Sequence, residues 1–109
     1  MSIETKARIL IVEDESIVAA DIEETLKSGG YEVSGIAASG REAIALVEAH
    51  LPHLVLMDIR LQGKMTGIEA AQQIVERFHT PIIYLTAHSD EVTLQQAKLT
   101  QPYGYLLKP

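Results

Sequence analysis

The stretch RILIVED at residues 8–14 decides the fold, because it joins an unbroken aliphatic run to two adjacent acids. A short run of aliphatic residues without polar alternation predicts a strand that is buried on both faces, which is typical of a parallel sheet. The two acids then follow directly at the carboxyl end of that strand. The stretch therefore predicts a parallel α/β fold with charged groups at one edge of the sheet.

Four further runs of the same kind follow along the chain, at residues 31–37, 54–57, 81–85 and 105–107. The segments between them have helical spacing. Val18, Ile22 and Leu26 recur at every fourth position and predict a first helix that ends at Gly29-Gly30. Capping boxes predict the starts of two more helices, SGRE at residues 39–42 and TGIE at residues 66–69. A fourth, less regular helix is predicted over residues 90–100.

Five strands that alternate with helices favour right-handed crossovers and helices on both faces of the sheet. We therefore predict a doubly wound α/β fold, and if it is flavodoxin-like the strand order is 2-1-3-4-5. The 109 residues suffice for one domain, residues 1–109, of which residues 1–6 are expected to form a flexible N-terminus.

The composition excludes several classes of function. The chain has no cysteine, which removes thiolate catalysis, iron–sulfur clusters and cysteine-ligated zinc, and is compatible with the cytoplasm. Its formal charge of −6 would repel a nucleic-acid backbone, so no direct nucleic-acid binding is expected. The apolar runs are far shorter than a membrane span, so no membrane association is expected either.

Polar side chains follow four of the five predicted strands. The first strand ends in Glu13-Asp14, the third in Asp58, the fourth in Thr86 and the fifth in Lys108. In an open parallel sheet these ends meet at one edge, and the ligand site lies at the point where the winding reverses. Three carboxylates at that point predict a Mg²⁺ site, and the adjacent hydroxyl and ammonium groups are those needed for phosphoryl transfer.

Each of these residues has a simpler structural interpretation when taken alone. Asp14 is as well explained by a charge in the first turn of a helix, and Thr86 by an ordinary strand end. Lys108 alone would be a surface residue, and Asp58 alone a turn residue. Their placement at one sheet edge carries the functional interpretation.

Four motifs together resemble the receiver domain of two-component response regulators. They are IVEDE at residues 11–15, LMD at 56–58, YLTA at 84–87 and YLLKP at 105–109. The resemblance implies that Asp58 accepts a phosphoryl group from a histidine kinase or a phosphotransfer protein. It also implies a signalling switch that controls a downstream output, and no enzymatic activity beyond the domain's own phosphorylation and dephosphorylation.

The resemblance assigns a role to each site residue. Asp14, Asp58 and the backbone carbonyl of Arg60 would bind Mg²⁺ directly, and Glu13 through water. Lys108 would pair with Asp58 at rest and with a phosphate oxygen afterwards, and a cis peptide bond to Pro109 would orient it. Thr86 would donate its hydroxyl to another phosphate oxygen, and Tyr105 would move inward behind it as the switch aromatic.

The sequence departs from the family pattern at several positions. Glu13 replaces the commoner aspartate, and the loop after Asp58 has one extra residue and lacks the usual proline. Arg60 and His88 each lie two positions beyond a site residue, where their side chains would modulate the lifetime of the phosphate. The fourth helix is the expected two-state element.

The largest departure is at the end of the sequence, which lacks the final helix that the family carries after the position of residue 109. Without it, one sheet face would be covered by the first helix alone and would expose an apolar patch, so we expect a longer parent protein or a covering partner. The resemblance allows a homodimer, but a native-like one would need the missing helix.

Two other functional classes remain open from the sequence. A haloacid-dehalogenase-type phosphatase also uses an aspartate nucleophile, but it needs an acid where this chain has Arg60. A degenerate receiver would act only as a binding module, although the five expected site residues are all present in workable form.

Overall fold

The computed structural model describes residues 6–61, 63–87 and 97–108, which form five strands, three α-helices and one short 3₁₀ helix. In chain order these are β1 (Arg8–Val12), α1 (Ser16–Ser28), β2 (Glu32–Ala37), α2 (Gly40–His50), β3 (Leu54–Asp58), α3 (Gly67–Phe78), β4 (Ile82–Thr86), the 3₁₀ helix (Lys98–Thr100) and β5 (Gly104–Leu107).

The strands form one parallel sheet in the order β2-β1-β3-β4-β5. This arrangement confirms the predicted doubly wound fold, in which β1 and β3 are neighbours where the winding reverses. Val12 pairs with Met57 in the β1–β3 ladder, so the residues that follow both strands emerge side by side. The sheet topology thus places residues 13, 14 and 58 at one edge.

The helices cover the two faces of the sheet unequally. On one face, buried residues of α2 and α3 pack against the sheet in the larger core cluster, which includes Leu10, Val55, Met57 and Tyr84. On the other face, the smaller cluster contains Ala19 and Ile22 of α1. Of the predicted stripe of α1, Ile22 is buried and Val18 and Leu26 are partly buried against this cluster, whereas Ala19 was not predicted.

The α1 face also leaves apolar side chains accessible. Leu106 and Leu107 of β5 are exposed, and a groove of about 250 Å³ runs between α1 and the sheet. The residues lining it are almost all aliphatic: Ile22, Thr25, Leu26, Leu56, Leu85, Leu106 and Leu107.

The start of α3 is fixed by a complete capping box and by a close approach of two backbones. The Thr66 hydroxyl accepts a hydrogen bond from the Glu69 amide (3.1 Å), and the Glu69 carboxylate accepts one from the Thr66 amide (3.0 Å). A Cβ atom at Gly67 would meet the carbonyl oxygen of Asp58. Only glycine therefore allows α3 to begin directly against the end of β3. At α2, the structure shows the Ser39 half of the predicted box, with the Glu42 amide donating to Ser39 Oγ.

Some predicted features lie wholly or partly outside the described residues. Residues 88–96 contain His88 and most of the predicted fourth helix, of which the structure describes the end as the 3₁₀ helix. Residues 1–5 and Pro109 also lie outside, and with Pro109 the predicted cis peptide bond. Within the described ranges, no helix is both long and apolar enough to cross a membrane.

Candidate functional site

Three carboxylates meet at the carboxyl ends of β1 and β3. One oxygen from each of Glu13, Asp14 and Asp58 lies within 4.8 Å of the others. Glu13 and Asp58 are each only 1% exposed, whereas Asp14 is half-buried. The Glu13 amide still donates to the Ala37 carbonyl oxygen at 2.9 Å, so the β1–β2 ladder holds the backbone of the acidic pair in place. The sheet thus concentrates negative charge where water is largely excluded.

Lys108 supplies the positive charge that reaches this cluster. Its Nζ lies 3.0 Å from Asp58 Oδ2 and 2.9 Å from Glu13 Oε1. The first contact is a hydrogen-bonded ion pair, whereas the second has the distance of an ion pair without the geometry of a hydrogen bond. The Lys108 amide donates to the Thr86 carbonyl oxygen at 2.7 Å, which anchors the lysine backbone beside β4.

Charge at the site is unbalanced, because three carboxyl groups face one ammonium. Burial, followed by the hydrogen bond and charge of Asp58, raises the pKa of Glu13 to about 7, although Lys108 opposes that rise. For Lys108, burial alone would lower the pKa, but the carboxylates of Glu13 and Asp58 outweigh burial and raise it. The ammonium therefore stays charged at neutral pH, while the Glu13 carboxyl group is protonated in part of the molecules.

Glu13 Oε1 is a buried acceptor without a hydrogen bond in the part of the chain that the structure describes. The other oxygen, Oε2, accepts only a long bond of 3.4 Å from the Glu15 amide. A buried polar atom without a hydrogen-bond partner is costly, and at a functional site it indicates room for a ligand or an ion.

The acidic cluster fits a small divalent cation. All three donors are carboxylate oxygens, the ligands that Mg²⁺ prefers. Two oxygens on one octahedral Mg²⁺ lie roughly 3 to 4 Å apart, slightly less than the 4.8 Å span of this cluster. Small side-chain rotations or a bridging water close that gap, and Glu13 Oε1 is the acceptor such a water would satisfy.

Three other expected site residues surround the cluster at different depths. Thr86 is buried at the end of β4, where its hydroxyl donates to the Leu106 carbonyl oxygen at 3.3 Å. Arg60 is exposed, but its amide donates to Asp58 Oδ1 at 3.0 Å. Tyr105 lies on β5 with 38% of its surface exposed. The structure thus brings Glu13, Asp14, Asp58 and Lys108 into one pocket, and places Thr86, Arg60 and Tyr105 around it.

Tyr84, near this site, was not predicted from the sequence to have a role. Tyr84 of β4 is fully buried, its ring is stacked with that of Tyr105, and its hydroxyl is hydrogen-bonded to Thr100. The signal was present in the run PIIYL at residues 81–85, where a hydroxyl interrupts a strand that must be buried on both faces.

Several known proteins of similar sequence are named as regulators. The chain is 40% identical over 102 residues to the transcriptional regulatory protein PdtaR of Mycobacterium tuberculosis. The aligned region covers 94% of this chain and 49% of PdtaR. It is 35% identical over 83 residues to the phyllosphere-induced regulator PhyR of Methylorubrum extorquens, covering 75% of this chain and 31% of PhyR. The chain therefore spans about half or less of the length of these relatives.

Solved structures share the fold. The signal receiver domain of a modulated diguanylate cyclase from Desulfovibrio desulfuricans G20 has a TM-score of 0.90 and 38% sequence identity, covering 96% of this chain and 83% of that one. The chemotaxis protein CheY4 of Vibrio cholerae has a TM-score of 0.85 and 30% identity, covering 96% of this chain and 88% of that one.

The description of the matching family is the response regulator receiver domain, and the match spans residues 9–109. That span includes every residue of the sheet except Arg8, and every residue of the acidic cluster. The chain thus belongs to the response regulator receiver domain family, and it is a signalling module of two-component systems.

Proposed function

We propose that this domain is a phosphorylation switch in which Asp58 accepts a phosphoryl group from a histidine kinase or a phosphotransfer protein. The observation that carries this proposal is the buried Asp58 carboxylate, which is ion-paired to Lys108 inside a cluster of three acids. Family membership supports it, since a receiver domain implies a cognate histidine kinase.

The reaction needs only nucleophilic attack and charge stabilisation. An Asp58 oxygen attacks the phosphorus of a phosphohistidine, the P–N bond breaks, and its electron pair returns to the imidazole, leaving an aspartyl phosphate. The two Asp58 oxygens are held apart by separate donors, the Arg60 amide on Oδ1 and the Lys108 ammonium on Oδ2. These two contacts fix the orientation of the carboxylate before the donor arrives.

Mg²⁺ is the proposed cofactor, and it supplies positive charge that offsets the incoming phosphoryl group. Asp14, Asp58 and the backbone carbonyl of Arg60 would hold it directly, and Glu13 through water. Two observations support this assignment. Three carboxylates lie close together, and Glu13 Oε1, although ion-paired to Lys108, accepts no hydrogen bond in the described chain.

Thr86 and Lys108 are the groups that would respond to phosphorylation. The new group adds a charge of about −1.5 to −2, so nearby donors reorient toward it. The bond from the Thr86 hydroxyl to the Leu106 carbonyl oxygen of β5 is long, at 3.3 Å, so its transfer to a phosphate oxygen would give up little. In this proposal Tyr105 then moves inward behind Thr86, and residues 88–100 form the element that changes state.

Arg60 and His88 are proposed modulators of the phosphate lifetime. The Arg60 side chain is exposed beside the site, while His88 lies outside the described residues. We expect the aspartyl phosphate of Arg60→Ala and of His88→Ala to decay at a rate different from that of the parent. Equal lifetimes would leave both residues without this role.

The output of the switch lies beyond this domain. Similar proteins named as transcriptional regulators are about twice as long as this chain, which supports an output carried by another domain or a partner protein. The upstream partner would be a histidine kinase or phosphotransfer protein, and we expect the domain itself to act in the cytoplasm.

The proposal is tested by intact-mass spectrometry after incubation with acetyl phosphate and Mg²⁺. We expect a phosphoryl adduct on the parent and on Asp21→Asn, a matched control at an exposed aspartate of α1, but not on Asp58→Asn. Turnover of the donor without an adduct would instead support a phosphatase. No reaction at all would support a binding module.

A further inference from the structure

Tyr84 occupies the centre of the larger core and makes directed contacts on two sides. Its side chain is fully buried, and its hydroxyl lies 2.9 Å from Thr100 Oγ1 at the end of the 3₁₀ helix. Its ring is stacked with that of Tyr105, with 6.1 Å between centroids and 22° between ring planes. A phenylalanine would keep the stacking but lose the hydroxyl contact, and an aliphatic side chain would lose both.

The direction of the hydroxyl contact follows from counting protons. Thr100 Oγ1 donates its single proton to the Ala97 carbonyl oxygen at 2.6 Å. The Tyr84 hydroxyl must therefore be the donor to Thr100 Oγ1. Burial raises the pKa of Tyr84, so the phenol keeps the proton that it donates. The result is a chain of two hydrogen bonds from β4 to the backbone just after residues 88–96.

The stacking contact leads from Tyr84 toward the phosphorylation pocket. Tyr84 and Tyr105 are paired in the β4–β5 ladder. Tyr84 also lies two positions before Thr86 on the same strand, so both side chains point to the same face of the sheet. Tyr105 is thus a partly exposed ring on the strand that pairs with β4, and Tyr84 is the buried ring stacked against it.

We propose that Tyr84 is a positioning residue that couples the ring of Tyr105 to residues 97–100. This inference rests on the proposed phosphorylation switch. A tyrosine ring and its hydroxyl move as one rigid unit, and a well-packed core does not absorb a shift of one ring without moving its contacts. A displacement of Tyr105 therefore changes the position of Tyr84, and the hydroxyl transmits the change to Thr100 and Ala97.

The inference is tested by amide NMR of the full chain with acetyl phosphate and Mg²⁺, with the adduct measured by intact mass in the same sample. The decisive variant is Tyr84→Phe, which keeps the ring and removes the donor. Tyr103→Phe is the matched control, because Tyr103 is exposed on the loop before β5. Thr100→Val removes the acceptor instead, and keeps the inference testable should Tyr84→Phe fail to fold.

In the parent and in Tyr103→Phe, we expect phosphorylation to shift the amide resonances of both Tyr105 and Thr100. In Tyr84→Phe the adduct and the Tyr105 shift should persist, while the Thr100 shift falls severalfold. Thr100→Val should likewise reduce the shift of Ala97. A Thr100 shift in Tyr84→Phe equal to that of the parent would reduce Tyr84 to a packing residue.

The same experiment separates this inference from the proposed function. An adduct on the parent without any shift at Thr100 would overturn the role of Tyr84 and leave Asp58 as the phosphoacceptor. The absence of an adduct on the parent would instead overturn the proposed function, and the inference would fall with it.

Discussion

The charged groups at the two ends of the sheet differ in how well their hydrogen bonds are satisfied. At the amino end of β1, the guanidinium of Arg8 donates to the carbonyl oxygens of His50 (2.5 Å) and Leu51 (2.8 Å), and its amide donates to His53 Nδ1 (2.9 Å). At the carboxyl end, Glu13 and Asp58 share Lys108 beside a third acid, Asp14, and a buried acceptor has no hydrogen bond within the described chain.

The two ends of β1 therefore have different roles: its amino end stabilises the fold, and its carboxyl end carries the candidate site. The cation at the amino end satisfies the last carbonyls of α2 and holds that helix to the sheet, in contact with solvent. The carboxyl end carries an electrostatic cost that Lys108 offsets only in part, because the pKa of Glu13 stays raised despite the lysine. Such a cost is expected where a protein must receive a cation and a phosphoryl group. Substitutions at the two ends should therefore have effects of different kind.

The largest effect is expected from removing the shared cation. Lys108→Met leaves two buried carboxyl groups without their ammonium, which should lower the free energy of unfolding by about 3 kcal/mol at pH 8. The measurement is urea unfolding with and without Mg²⁺, which should restore part of the loss. Lys98→Met, at an exposed lysine of the 3₁₀ helix, is the control and should change little. Equal losses in both variants would mean that the ion pair stabilises nothing.

The opposite sign is expected at Glu13. Its pKa is raised from 4.5 to about 7, so the folded protein binds the Glu13 proton more tightly than the unfolded chain does. The stability of the parent should therefore fall as the pH rises between these values. Glu13→Gln avoids that loss, and should be more stable than the parent by up to about 3 kcal/mol at pH 8 without metal. The advantage should vanish below pH 4.5, and Glu15→Gln, at an exposed position, should show none.

A change at the amino end should affect stability alone. Arg8→Ala removes two side-chain hydrogen bonds to the end of α2, and should lower the free energy of unfolding by about 2 kcal/mol. Adduct formation with acetyl phosphate should stay at the level of the parent. Arg41→Ala, at the exposed first turn of the same helix, is the control. Loss of the adduct in Arg8→Ala would show that the two ends of the sheet are not independent.

The smallest predicted effect is the pH dependence of metal binding. Since Glu13 must lose its proton to accept a hydrogen bond from metal-bound water, and its pKa is about 7, Mg²⁺ affinity should rise with pH. Between pH 6 and 8 the expected increase is about tenfold, which corresponds to about 1.4 kcal/mol. Calorimetric titration measures both the affinity and the released proton. The same affinity at both pH values would remove Glu13 from the metal site.

Much of this organisation could be predicted from the sequence. The aliphatic runs and helical spacing were sufficient for a doubly wound parallel sheet, and the flavodoxin-like pattern of the family supplied its strand order. The rule that ligands bind at the carboxyl ends of strands was sufficient to bring Glu13, Asp14 and Asp58 together.

Contacts that depend on the direction of side chains could not be predicted. No pattern shows that Lys108 contacts Glu13 as well as Asp58, or that Glu13 Oε1 is left without a hydrogen bond. The Tyr84 hydroxyl contact is equally hidden, because the 3₁₀ helix that holds Thr100 has no apolar periodicity. Such contacts arise from packing between elements that are distant in sequence.

The most direct test of the account locates the phosphoryl group itself. Reduction of the acetyl phosphate-treated protein with borohydride converts an aspartyl phosphate to homoserine, which peptide mass spectrometry then maps. If Asp58 is the phosphoacceptor, we expect homoserine at residue 58 alone, and only when Mg²⁺ was present during phosphorylation. Modification of Glu13 or Asp14 instead, or of residue 58 equally without Mg²⁺, would contradict the claim that this edge of the sheet is a metal-dependent phosphoacceptor site.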